Sequence, residues 1–242
     1  MKKILILIFS TLIISCSFNK KNPEPTIFSN TEYIQDESRD RIIPVEIYLS
    51  EISNNKIVLI NAGYGCSATE YSYIAKHLVQ IGFLVVRIQH ELQTDDFLPS
   101  GENMYEARLP NWKEGIKNIQ STLEYLKIKY PNHDYEKLNL IGHSNGGDIA
   151  MLFGREYPNI LNSIITLDHR RMPISKTNKY KILSIRADQF PADNGVIPEN
   201  LELDKSLIKI VKLENVAHDY LRDNATKETK KIVLEEISKI LK

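Results

Sequence analysis

Apolar residues along the chain fall into short β-branched runs separated by stretches with a helical period, and this alternation predicts the architecture. The runs "KIVLINA" (56–62), "FLVVRIQ" (83–89), "LNLIGH" (138–143), "SIITLD" (163–168), "KILSIRA" (181–187) and "IKIVKLE" (208–214) are apolar on both faces. Strands covered by helices on each side have that character. Between them, residues 68–81 set Tyr71, Ile74, Ala75, Leu78 and Ile81 on one helical face. Residues 111–130 do the same with Trp112, Ile116, Ile119, Leu123 and Leu126, and 146–158 and 225–241 predict two more helices. Residues 33–38 and 42–49 read as an antiparallel opening pair around a Ser38-Arg39-Asp40 turn. Strands alternating with helices predict one α/β domain, its mostly parallel twisted sheet covered on both faces.

The first residues follow no such pattern. "MKKILILIFSTLIISC" has two lysines, an apolar run too short for a comfortable membrane span, and a small residue before Cys16. That is the form of an export signal. Ser15-Cys16 resembles the lipobox of bacterial lipoproteins, although the isoleucine at the third position before the cysteine is tolerated there rather than favoured. The resemblance implies cleavage after Ser15, a lipid on Cys16, and an exported protein anchored to a membrane of a bacterial cell envelope. An ordinary secretory signal with a chance cysteine is the other reading. Residues 17–25 are polar and carry prolines, as a tether would. The expected division is a signal peptide over 1–15, a tether over 16–31 and a domain over 32–242. A lipid on Cys16 would leave Cys66 without a disulfide partner, so stability must come from the core.

Lys plus Arg and Asp plus Glu both number 31, so the formal net charge is zero and no basic tract marks a nucleic-acid partner. One local basic spot, "DHRR" at 168–171, lies at a predicted strand end.

Candidate chemistry centres on "IGHSNGGD" (141–148), where Ser144 stands between Gly142 and Gly146 at a strand-to-helix turn. A serine hydroxyl needs a base, an acid and an oxyanion site before it acts as a nucleophile. Glycines two residues to either side of a serine let strand and helix approach closely around a strained nucleophile. With the glycine-rich "NAGYGCS" (61–67) at an earlier strand end, the motif extends over three segments: "LINAGYGCSATEYSYIAKHLVQIGFLVVRIQH", "NLIGHSNGGDIAMLFG" and "ITLDHRRMP". On these the chain, from about Glu32 onward, resembles the α/β-hydrolase superfamily, and within it the dienelactone-hydrolase-like and platelet-activating-factor-acetylhydrolase-like branches. The resemblance implies an α/β-hydrolase fold and serine-dependent hydrolysis of an ester without a cofactor.

It also implies the chain order serine, acid, histidine. Two histidines follow Ser144: His169 is fixed beside a strand end, and His218 lies in a loop after the last predicted strand, which favours His218 as the base. The oxyanion donors are expected to be the backbone N–H groups of Tyr64 and Asn145. Ala62 stands where many relatives carry histidine, a departure that leaves backbone donors untouched. Two positions compete for the acid. Most of the superfamily carries it shortly after the seventh strand, near Asp188; the acetylhydrolase-like branch carries it at the end of the sixth, which matches Asp168. Asp168 is preferred, with Asp188 as the alternative and the arginines of "HRR" as possible rivals for its charge.

Around these residues, His90 and Asp95 either line the mouth or solvate a loop, and "HELQTDD" has no metal-ligand spacing. Asn145 and Asp148 are expected to cap the nucleophile helix or bond neighbouring loops. Cys66 reads as a small buried residue and Trp112 as helix core. The connection over 169–180 is too short for a lid domain, which suits a small acyl group or an ester on a soluble molecule or polymer. The rival readings are a catalytically inactive ligand-binding lipoprotein on the same scaffold, and a hydrolase of amides, peptides or thioesters.

Overall fold

The structure, a computed structural model, describes residues 25–198 and 207–242. The expected signal peptide and the lipidation site Cys16 lie outside the described residues. Eight strands form one sheet: β1 (Ile27–Asp36), β2 (Arg41–Ser50), β3 (Ile57–Asn61), β4 (Leu84–Ile88), β5 (Leu138–His143), β6 (Leu161–Leu167), β7 (Lys181–Arg186) and β8 (Ile208–Lys212). Their spatial order is β1-β2-β4-β3-β5-β6-β7-β8. β1 and β2 pair antiparallel, β2 meets β4 antiparallel, and every pairing from β4 to β8 is parallel. β1 begins at Ile27, within the stretch read as tether, because its first residues are exposed and show no apolar alternation.

Four helices cover the sheet: α1 (Ser72–Gln80), α2 (Met104–Lys129), α3 (Asn145–Glu156) and α4 (Lys227–Ile240). Alternate residues of each central strand feed different cores. Ile57 and Leu59 of β3 join Trp112 and Ile116 of α2 and Ile149 of α3; Val58 and Ile60 join Ile74 and Leu78 of α1 and Val233 of α4. Every residue of β3, β4 and β5 is buried, which explains why aliphatic residues dominate all three. Each such aliphatic side chain contributes about 1.5–3 kcal/mol.

Two helix boundaries differ from expectation. α1 starts four residues late, since Tyr71 takes a left-handed φ of 66° and closes a turn before it. α2 starts seven residues early and carries Pro110 inside it; Asn103 caps it by accepting the Glu106 N–H. As the seventh helical residue, Pro110 withdraws the N–H due to the Glu106 carbonyl and its ring crowds that carbonyl, a local cost inside a long helix. Among the described residues, no helix is long and apolar enough to cross a membrane. The chain from Asp168 to Tyr180 joins β6 to β7 without a helix of its own.

Candidate active site

The carboxyl edge of the parallel strands gathers the chemistry, as strand ends do in sheets of this kind. Ser144 sits between β5 and α3 with φ 51° and ψ −121°, a conformation rarely adopted by a residue with a Cβ. Its N–H donates to the Leu167 carbonyl at 3.0 Å, tying the elbow to the end of β6. The glycines are a steric requirement. A Cβ on Gly142 would lie 2.3 Å from the Gly146 oxygen, and one on Gly146 would lie 2.2 and 2.4 Å from the carbonyl oxygens of Asn61 and Ala62.

Asp168 follows β6 directly, fully buried and itself at φ 52°. Its Oδ2 accepts from His218 Nδ1 at 2.6 Å. Its Oδ1 accepts from the Ala187 N–H at 3.2 Å and lies 3.3 Å from Nη2 of Arg186. The second acid position is not joined to this pair: the Asp188 carboxylate accepts the Asn215 N–H in the neighbouring turn. The arginines of "DHRR" also turn elsewhere, Arg171 to Asp193 and Arg170 onto the Phe190 ring. Arg186, which nothing in the sequence singled out, supplies the charge beside Asp168. A buried carboxylate with three donors around it is well compensated.

His218 opens a short 3-10 turn, His218–Leu221, and its N–H donates to Oε1 of Gln189 at 3.1 Å. A carboxylate on Nδ1 fixes the neutral ring with its proton on that nitrogen and leaves Nε2 as the acceptor. Among the described residues, neither Ser144 Oγ nor His218 Nε2 is bonded to another group of the chain, and the backbone N–H groups of Tyr64 and Asn145 have no acceptor. The loop bearing Tyr64 is a turn closed from the Cys66 N–H to the Gly63 carbonyl at 3.0 Å.

The Asn145 and Asp148 side chains do not cap α3. Asn145 Oδ1 accepts from the Trp112 indole at 2.9 Å, while its Nδ2 donates to Glu91 Oε1 and Asn111 Oδ1, each at 2.9 Å. These bonds fix the residue whose N–H starts the helix. Asp148 Oδ1 accepts the N–H groups of Arg171 and Met172, joining α3 to the chain after β6. Burial pushes its carboxyl up to about 6, and pushes Glu91 up to about 7. Trp112 is core, as expected, with an added polar role. Cys66 is buried. His90 and Asp95 border one cleft with Arg41 and Asn111: His90 is itself buried against Asn61 and Asn118, and the part-exposed Asp95 pairs with Arg41 at 2.6 Å. Sequence reasoning also passed over His143 and Tyr71, which meet at 2.9 Å beneath the elbow. The variable position of the pentapeptide carried no signal of its own.

Known proteins share this geometry's framework. A family model described as serine aminopeptidase, S33, matches residues 52–168. No curated protein matches the chain. A ferulic acid esterase from Streptomyces cinnamoneus aligns with a TM-score of 0.67 at 15% identity, covering 91% of this chain and 90% of that one. An α/β serine hydrolase without a lid from Xanthomonas campestris aligns at 0.59 and 15%, covering 90% and 97%. The fold is that of an α/β hydrolase, which these structures share. Its likeness extends to dienelactone hydrolases in particular: the one from Anabaena variabilis aligns with a TM-score of 0.54 at 16% identity, covering 88% of this chain and 97% of that one.

Proposed function

We propose that the protein is a serine esterase that forms an acyl-enzyme on Ser144, with His218 as base and Asp168 as the group that orients it. Ser144 Oγ attacks the acyl carbonyl carbon as its proton passes to His218 Nε2. The carbonyl π electrons move onto oxygen, which the N–H groups of Tyr64 and Asn145 receive. The imidazolium keeps its Nδ1–H on Asp168, then returns the Nε2 proton to the departing alkoxide as the ester bond breaks. Water repeats the sequence on the acyl-enzyme and frees the acid.

The observation that carries this reading is the 2.6 Å contact of His218 Nδ1 with Asp168, beside a serine held at φ 51°. The free backbone donors at Tyr64 and Asn145 support the oxyanion assignment. The open connection after β6 supports substrates with a small acyl group, or esters carried on soluble molecules or polymers. The amino-terminal pattern supports export and a lipid on Cys16, which acyl labelling of the wild type but not of Cys16→Ser tests. The matched family's description names a peptidase, so the decisive panel pairs short p-nitrophenyl esters and acetylated sugars with aminoacyl amides. Ester turnover abolished by Ser144→Ala is the expected result; cleavage of the amides alone, or ester turnover unchanged in Ser144→Ala, overturns the proposal.

A further inference from the structure

Beneath the elbow runs a chain of hydrogen bonds that the acyl-transfer steps do not use. His143, the residue before Ser144, is buried at the end of β5. Its Nε2 lies 3.1 Å from the carbonyl oxygen of His218 and its Nδ1 2.9 Å from the Tyr71 hydroxyl. That hydroxyl accepts the Gly63 N–H at 3.2 Å. The partners dictate the protons. A carbonyl can only accept, so Nε2 carries the hydrogen; Nδ1 of the neutral ring is then an acceptor, and Tyr71 donates to it. Cys66 Sγ, 3.7 Å from the same hydroxyl, is the more distant and weaker acceptor. Every bond thus points one way, from Gly63 through Tyr71 and His143 to His218, and bonds aligned in this manner strengthen one another.

Two further observations fit a purpose for this chain. A Cβ on Gly63 would lie 2.9 Å from His143 Nδ1 and 3.3 Å from the Tyr71 hydroxyl, so the oxyanion loop is fitted closely against it. The rings of His143 and His218 lie 4.6 Å apart, inclined by 34°. Only one of two such rings can hold a proton's charge cheaply. Asp168 faces His218, whereas burial first and the neighbouring His218 second push His143 down to about 3.

We infer that His143 and Tyr71 are positioning residues: a neutral imidazole, held in its Nε2–H form by the tyrosine, sets the oxyanion loop at Gly63 and the base loop at His218 in register around Ser144. The inference rests on the serine-esterase reading for its effect on rate, and on the bonds alone for its tautomer. Three segments distant in sequence must meet to a fraction of an ångström for acyl transfer, and one side chain ties them.

The test uses the full chain. Tyr71→Phe keeps the ring and removes the hydroxyl. With p-nitrophenyl acetate it is expected to lower kcat about 10- to 100-fold, as a displacement of catalytic groups by an ångström or less does, with KM within about threefold. His143→Gln retains a donor and an acceptor and is expected to keep at least about fivefold more kcat than His143→Leu; should the leucine variant not fold, Tyr71→Phe decides alone. Nitrogen-resolved NMR of the histidine rings is expected to show His143 as the neutral Nε2–H tautomer at pH 7. A folded Tyr71→Phe with kcat within twofold of wild type overturns the inference. So does His143 as the Nδ1–H tautomer or charged at pH 7. Ser144→Ala assayed alongside separates the two readings: full activity there removes the esterase proposal, and the NMR result still judges the tautomer.

Discussion

Replacing Asp168 by asparagine keeps the size of the side chain and removes its charge and one acceptor, so the consequences can be worked atom by atom. Oδ1 lies 3.2 Å from the Ala187 N–H and 3.3 Å from the Arg186 guanidinium, both donors. Asparagine must therefore put its carbonyl oxygen there. Its amide nitrogen then faces His218 Nδ1 across the present 2.6 Å contact. Two N–H groups cannot meet at that distance, so the imidazole moves its proton to Nε2, the atom that accepts from Ser144 in the proposed mechanism. A base in the wrong tautomer lowers kcat on the order of 10⁴-fold, which is about 5 kcal/mol of barrier. KM should change little, because Asp168 is fully buried and has no surface to offer a substrate. Folding stability should fall by about 1–3 kcal/mol, since Arg186 keeps its bond to the His169 carbonyl but loses a buried counter-charge. The assay is steady-state hydrolysis of p-nitrophenyl acetate, normalised to folded protein by circular dichroism. A folded Asp168→Asn variant within tenfold of wild-type kcat would refute the reasoning.

Other substitutions probe the same account from different sides. Asp188→Asn should leave kcat within about threefold and cost roughly 1 kcal/mol through the Asn215 turn; a rate loss matching that of Asp168→Asn would transfer the role of acid to Asp188. Gly146→Ala drives a Cβ to 2.2 Å from the Asn61 oxygen, so denaturant unfolding should show a loss of about 3 kcal/mol or more, and a wild-type midpoint would contradict the packing. Glu91 is raised to about 7 by burial, above its unfolded value near 4.5. Its contribution to stability is therefore complete below about pH 4.5 and lost as pH rises through 7. Glu91→Gln, neutral throughout and still able to accept from Asn145, should match wild type at pH 4.5 and exceed it by about 2–3 kcal/mol at pH 8; equal thermal midpoints at pH 8 would contradict this.

Much of the fold was legible because the central strands are buried on both faces and are dominated by aliphatic residues, as 57–60 in β3 and 84–86 in β4 are. The start of β1 was not, since its first residues face solvent and alternate nothing. The start of α2 was hidden by Pro110, which reads as a helix breaker unless the cap at Asn103 is known. In the candidate site, the elbow was visible because close backbone approach demands glycine at fixed spacing. The preference for Asp168 over Asp188 came from likeness to one branch of the superfamily rather than from any pattern in the residues. Arg186, Gln189, Tyr71 and His143 were invisible for a common reason. Each has a contact with a residue 17 to 75 positions away, and no local periodicity records such pairs.

The central claim is that Ser144 is an activated nucleophile. Treating the full chain with a fluorophosphonate and mapping the adduct by peptide mass spectrometry tests it most directly, without any assumption about substrate. The account predicts one phosphonyl group per molecule, on Ser144, absent from Ser144→Ala and formed far more slowly in Asp168→Asn. An unmodified Ser144 in folded protein, or equal labelling of Ser144→Ala, would contradict it.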